Sequence, residues 1–84
     1  MEMQQIGNVV EYFEDISVAT ISLTQPLAVG EEIWYGNDDE MNSQTIESLE
    51  IEKEMVDQAE PGAVVGTHIH RPVEQGMPIY KKAE

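Results

Sequence analysis

The chain has 84 residues and a mass of 9.4 kDa, which is the size of one small domain. Seventeen acidic residues against four basic ones give a formal net charge of −13 at pH 7. That balance disfavours the basic surface by which proteins bind DNA or anionic membranes. Cysteine is absent, which excludes disulfides, thiol nucleophiles and cysteine-ligated metal centres. Folding a chain this small hides only about 63% of its surface, so we expect one small core and no deep substrate cleft.

The apolar residues favour strands. Ile, Val, Leu and Phe together supply 20 of the 84 residues, and 16 of those are β-branched, a shape that packs well on pleated sheets. The first residues are polar and acidic, and no apolar run reaches the length of a signal peptide's hydrophobic region or a membrane span. We therefore expect a single cytoplasmic domain over residues 1–84, with flexible ends at 1–4 and 82–84.

Short alternating segments between turn residues predict an all-β domain. In the first predicted strand, 6–13, alternation places Ile6, Val10 and Tyr12 on one face, interrupted by Asn8. The second, 18–23, is the clearest, because apolar residues occupy every other position. Three more predicted strands follow, namely 32–36, with Trp34 facing away from Ile33 and Tyr35, then 63–70, with Val65, Thr67 and Ile69 on one face, and 77–81.

The segment from Thr45 to Glu60 is ambiguous. Its Glu, Met, Lys and Ala content favours a helix by propensity. Leu49 and Ile51 are two residues apart, however, and Lys53 interrupts the apolar stripe that a helix would need. The pattern therefore predicts a strand over 46–53, followed by a turn that leads into Pro61-Gly62.

Three glycines carry specific expectations. Gly30 ends a turn that requires positive φ, and Pro61-Gly62 is typical of a tight turn. Gly66 stands inside a predicted strand, which indicates a bulge or a close backbone approach.

Several of these turns and strands, taken in order, resemble one known family. The segments are Gly7-Asn8-Val9-Val10, then Pro26-Leu27-Ala28-Val29-Gly30-Glu31-Glu32-Ile33, then Ala59-Glu60-Pro61-Gly62-Ala63-Val64-Val65-Gly66, and finally Gly76-Met77-Pro78-Ile79. They are similar to the second domain of translational GTPases such as elongation factor Tu. The resemblance implies a small closed six-stranded Greek-key barrel of that type. Similar barrels also occur as accessory domains at the C-terminus of a bacterial peptidase family.

The sequence holds no recognisable catalytic apparatus. It contains no G-x-x-x-x-G-K-[ST] phosphate-binding loop and no serine nucleophile elbow. We therefore expect a non-enzymatic binding module that serves as an adaptor or subunit of a separately encoded protein. The acidic charge is typical of a surface that keeps a protein soluble, and it also fits a salt-rich cytoplasm; a basic protein partner is the alternative interpretation. One set of acidic residues forms either a solvated face or a docking strip for that partner, and it consists of Glu47, Glu50, Glu52, Glu54 and Asp57.

RNA binding is an alternative that the resemblance implies, because the elongation-factor domain helps to hold the acceptor end of aminoacyl-tRNA. The acidic surface opposes it, although a single-stranded end can stack on an exposed aromatic ring. Trp34 and Tyr35 are the candidates, and the other interpretation places both rings in the core or at its rim.

Metal binding is the third hypothesis. Residues i and i+2 of a strand share a face, so His68 and His70 are suited to ligate one Zn²⁺ or Ni²⁺ ion, with a third ligand from Glu74 or from a carboxylate on a neighbouring strand. The other interpretation is a solvent-facing histidine pair with no cofactor. Arg71 and the loop 71–75 complete the predicted recognition surface, whose candidate members are Trp34, Tyr35, His68, His70, Arg71 and Glu74.

Overall fold

A computed structural model describes residues 2–37 and 39–83 of the chain. The predicted all-β class is confirmed, because these residues form ten strands and no helix. In chain order the strands are β1 (Glu2–Phe13), β2 (Val18–Leu23), β3 (Leu27–Ala28), β4 (Glu32–Asn37), β5 (Glu40–Thr45), β6 (Leu49–Ile51), β7 (Glu54–Val56), β8 (Gln58–Ala59), β9 (Val64–His68) and β10 (Pro78–Ala83). The accessible surface is 5375 Å², close to the value of about 5,000 Å² expected for this mass.

Eight of the strands form one antiparallel sheet in the order β5-β4-β10-β1-β2-β9-β6-β7, and β3 pairs with β8 in a second small sheet. Within the described residues β5 and β7 are the two ends of the larger sheet, each with a ladder on one side only. The predicted closed six-stranded barrel is therefore not found there.

The core is built from the inward positions of these strands. In β2 the predicted alternation is confirmed, since Ala19, Ile21 and Leu23 are buried between half-buried neighbours. The predicted strand 63–70 is shorter in the structure, since β9 spans Val64–His68; Val65 and Thr67 on its predicted face are buried, as is Ile69 just beyond its end. The full core comprises Ile6, Val9, Ala19, Ile21, Leu23, Leu27, Ile33, Tyr35, Ile46, Leu49, Ala59, Val65, Ile69, Val73 and Ile79.

The predicted inward face of β1 is wrong in part. Ile6 and Val9 are buried, whereas Val10 is 38% exposed. The pairing register shifts between Gln5 and Gly7 on the β10 side, and between Val9 and Glu11 on the β2 side. Such a shift adds one residue to a strand, which reverses the face of every residue beyond it.

The predicted strand 46–53 is a hairpin instead. β6 and β7 flank a turn at Glu52 and Lys53, which adopt positive φ of 50° and 69°. The sequence does not predict β5, because Glu-Met-Asn-Ser-Gln-Thr is mostly polar. In the structure Gln44 is its one buried residue. The chain passes from β4 to β5 through residues 38–39, of which Asp38 lies outside the described residues.

Close backbone approach occurs at a different glycine from the one predicted. Gly66 pairs with Thr20 in an unshifted register, and an added Cβ there would meet nothing closer than Val18 Cγ1 at 3.8 Å. At Gly7, beside the β1 bulge, an added Cβ would overlap the backbone carbonyl oxygen of Ser22. The positive φ expected at Gly30 is confirmed, at 96°, and Gly62 in the predicted Pro61-Gly62 turn also has a positive φ, of 94°.

The described parts of the two chain ends pair with each other. Glu2, Met3 and Gln4 of β1 lie opposite Ala83, Lys82 and Lys81 of β10, whereas Met1 and Glu84 lie outside the described residues. Among residues 2–37 and 39–83, no helix has the length and apolar character needed to cross a membrane.

Candidate functional site

A buried amide joins β5 to the end of β9, where no backbone ladder connects them. The side chain of Gln44 is almost fully buried, with 5% exposed. Its Nε2 donates a hydrogen bond to the carbonyl oxygen of His68 at 2.8 Å, and its Oε1 accepts from the backbone N–H of His70 at 2.9 Å. The same Oε1 accepts from the Tyr35 hydroxyl at 2.6 Å. The Gln44 amide therefore forms hydrogen bonds with the backbone on both sides of Ile69.

Further hydrogen bonds hold the neighbouring backbone. The Thr67 hydroxyl donates to the carbonyl oxygen of Ser48 at 2.8 Å, which ties β9 to the segment before β6. The backbone N–H of Ile69, whose side chain is fully buried, donates to the carbonyl oxygen of Ser17 at 2.8 Å. Residues 67–70 are thus fixed from three directions.

The two histidines come together on the outer surface. Their ring centroids are 5.4 Å apart in an edge-to-face arrangement. The nearby carboxylate is Glu47, whose Oε1 lies 2.8 Å from His70 Nε2. One ligand atom each from Glu47, His68 and His70 lie within 4.8 Å of one another, and all three residues are exposed. The structure brings the predicted histidine pair to Glu47 and places Glu74 elsewhere.

Tyr35 belongs to the core, so its inclusion in the recognition surface is wrong. Only 1% of the residue is exposed, which leaves no ring face for a base to stack on. Burial raises the pKa of its hydroxyl, while the backbone N–H groups and charge of Arg71 and the backbone of His70 act in the opposite direction. The tyrosine supports the site from beneath.

Trp34 is half-buried on the opposite face of β4 from Tyr35, as the alternation predicted. The Lys82 ammonium lies 4.7 Å from the centroid of its ring, in a cation–π contact. The indole N–H is buried and has no hydrogen-bond partner among the described residues. A stacking base would have to displace Lys82.

The two remaining candidates, Arg71 and Glu74, lie in the loop that follows His70 and have different surroundings. Arg71 is exposed at its start. The rest of the loop packs on β1, where Val73 is buried and the N–H of Gly76 donates to the carbonyl oxygen of Val9 at 2.7 Å. Glu74 lines an open groove of about 770 Å³ together with Val10, Glu11, Tyr12, Val73 and Gln75.

A smaller depression, which we call the notch, lies on the outer face of the sheet beside His68. It encloses about 100 Å³ and is lined by Val18, Ser48, Glu50, Met55, Gly66, Thr67 and His68. Gly66 of β9, which has no side chain, is one of these lining residues. Met55 on β7 is the most exposed large apolar residue described, at 66%, and it pairs with the exposed Glu50 on β6.

The sequence pattern did not predict the roles of two residues of the site, Gln44 and Glu47. Gln44 lies two positions before the buried Ile46, so the phase of that apolar residue was the available signal for an inward amide. Glu47 was recognised only as a member of an acidic series. Its approach to His70, 23 positions away, depends on the tertiary contact between β9 and the segment before β6.

Known structures share this fold. Two crystal structures of the C-terminal domain of a U32 peptidase family protein from Geobacillus thermoleovorans align with a TM-score of 0.86 and 23% sequence identity. The alignment with the selenomethionine form covers 93% of this chain and 99% of that domain, and the other covers 95% and 93%. No protein-family model and no curated protein matches the sequence.

The likeness to the elongation factor domain is therefore corrected. The structural neighbours are peptidase C-terminal domains and not the second domain of a translational GTPase. The glycine turns and Val-Gly strands on which the resemblance rested are features of small β-domains in general, because any tightly curved sheet needs such residues at its turns.

Proposed function

We propose that this chain is a non-enzymatic protein-docking domain that binds a separately encoded, basic partner through its β6–β7 hairpin. The observation that carries the proposal is the surface of this hairpin, where the exposed Met55 lies opposite Glu50 and the hairpin also carries the exposed Glu52 and Glu54. The fold supports it as well, since the same architecture occurs as the C-terminal domain of a larger protein in the structural neighbours.

The hairpin offers three means of recognition. β7 is an end of the sheet, so among the described residues its outer edge has no strand ladder and is suited to accept an added strand. The carboxylates on both sides of the turn complement lysine or arginine and steer a basic partner toward the edge. The notch beside Met55 has room for one small apolar side chain. The expected ligand is therefore an extended basic segment with one aliphatic residue.

The cations of this chain compete little with such a partner. Lys81 is held by Glu31 at 2.9 Å and by the carbonyl oxygen of Pro26 at 3.0 Å, and Lys82 lies over Trp34. The exceptions are Lys53 in the hairpin turn and the exposed Arg71 after His70. The net charge of −13 already includes all four cations, and it provides long-range attraction for a basic partner.

Co-purification from native lysate, with and without RNase, tests this function. The wild type is compared with E50Q/E52Q/E54Q and with the matched control E2Q/E14Q/E60Q, which removes the same charge outside the hairpin. We expect one stoichiometric protein that survives RNase, is retained by the control and is lost by the hairpin variant. Equal retention by both variants would refute the hairpin surface. Recovery of RNA alone, abolished by RNase, would refute protein docking.

A further inference from the structure

We propose that Glu47, His68 and His70 form a binding site for one Zn²⁺ ion. The ligand atoms of the three side chains already lie within 4.8 Å of one another. A tetrahedral ion with bonds of about 2.1 Å needs its ligands about 3.4 Å apart. His70 Nε2 and Glu47 Oε1, at 2.8 Å, are inside that separation. To bind the ion, the side chains must rotate so that their ligand atoms move by about 1 Å.

The ligand set selects the class of ion. Two imidazole nitrogens and one carboxylate are the donors of many three-ligand zinc sites, in which the fourth position is left to water or another molecule. Ca²⁺ and Mg²⁺ prefer oxygen ligands and larger ligand counts, so this set disfavours them. Ni²⁺ and Cu²⁺ suit the same donors and compete according to their intrinsic affinities.

Preorganisation distinguishes this cluster from three exposed side chains that meet by chance. The buried Gln44 holds the backbone of both histidines through partly buried hydrogen bonds of 2.8 and 2.9 Å. Thr67 fixes the carbonyl of Ser48, the residue directly after Glu47, at 2.8 Å. Binding of the ion therefore orders only the side chains and not the backbone, so its entropic cost is small. A small entropic cost is the condition for useful affinity at a surface site.

The acidic surface around the cluster attracts cations whether or not they bind the three ligands. The exposed Glu50 on β6 lies across from Gly66 and lines the notch together with His68. Arg71 adds one positive charge next to His70 in sequence. The net charge of −13 outweighs it and draws cations to the whole surface. Any test must therefore separate a built site from diffuse attraction.

Calorimetric titration of the untagged full chain with ZnCl₂ makes that separation. We expect one ion per chain in the wild type, with at least about tenfold weaker binding in H68A, H70A and E47Q, equivalent to about 1.4 kcal/mol each. Two matched controls keep the wild-type affinity. E74Q removes the ligand that sequence spacing favoured, and E50Q removes a neighbouring carboxylate of equal charge.

Nuclear magnetic resonance of the histidine rings in the wild type gives a second readout that needs no variant. The imidazole signals of both His68 and His70 should shift and saturate together at one equivalent of Zn²⁺. The proposal is overturned if neither ring responds, or if H68A/H70A binds zinc as tightly as the wild type. It also fails if E50Q weakens binding as much as E47Q, since that outcome assigns the ion to the acidic surface at large.

Discussion

Replacing Gln44 by Met removes the amide that connects β5 to the end of β9 and keeps a side chain of similar length. Three hydrogen bonds are lost, to the Tyr35 hydroxyl, the His68 carbonyl and the His70 N–H. Each contributes a net of about 1 kcal/mol, so we expect a loss of about 3 kcal/mol. A chain of this length has a total stability of about 4–13 kcal/mol, which makes the loss a large fraction of the whole.

Urea unfolding followed by the fluorescence of Trp34 measures this loss, because the sequence has a single tryptophan. In thermal unfolding followed by the same fluorescence, the melting temperature of Q44M should be about 12–24 °C below that of the wild type. A double-mutant cycle with Y35F sharpens the test, since Tyr35 and Gln44 share the 2.6 Å hydrogen bond. Y35F should cost about 1 kcal/mol less in the Q44M background than in the wild type, because its partner is already gone.

Two results would refute this reasoning. A Q44M variant whose free energy of unfolding is within about 1 kcal/mol of the wild-type value would mean that the amide does not stabilise the connection between β5 and β9. Equal costs of Y35F in both backgrounds would mean that the tyrosine hydroxyl and the amide do not interact.

Two further predictions concern the tyrosine and the glycines. Burial raises the pKa of Tyr35, so the stability it contributes is complete below about pH 10, the unfolded value, and is lost as the pH rises through the folded value. Unfolding free energies measured across that range should show this loss in the wild type and in the control Y80F but not in Y35F, and an unchanged slope in Y35F would contradict it. G7A should abolish or severely weaken folding, because its methyl group meets the Ser22 backbone. G66A should be neutral or stabilising by up to about 1 kcal/mol, and thermal melts that rank these two variants the other way would disprove the assignment.

The local pattern was sufficient for the fold class and for the simplest strand. β2 alternates cleanly and pairs on both sides, so its inward face could be read directly from Ala19, Ile21 and Leu23. His68 and His70 lie close together on one surface, but β9 ends at His68, so the period of two of a strand does not by itself account for the position of His70. Positive φ at Gly30 followed from its turn.

Only the tertiary structure decided the register, the connection of the sheet ends and the third member of the histidine cluster. Bulges in β1 exposed Val10, and nothing in a run of apolar residues states where a strand gains one residue. Gln44 acts on backbone 24 and 26 positions away, and Glu47 meets His70 across 23. Sequence periodicity describes each strand relative to itself, whereas such contacts depend on which strands become neighbours. The net charge and the histidine spacing could therefore be read from the sequence. The cluster of Glu47, His68 and His70 forms only when the strands of the sheet have become neighbours.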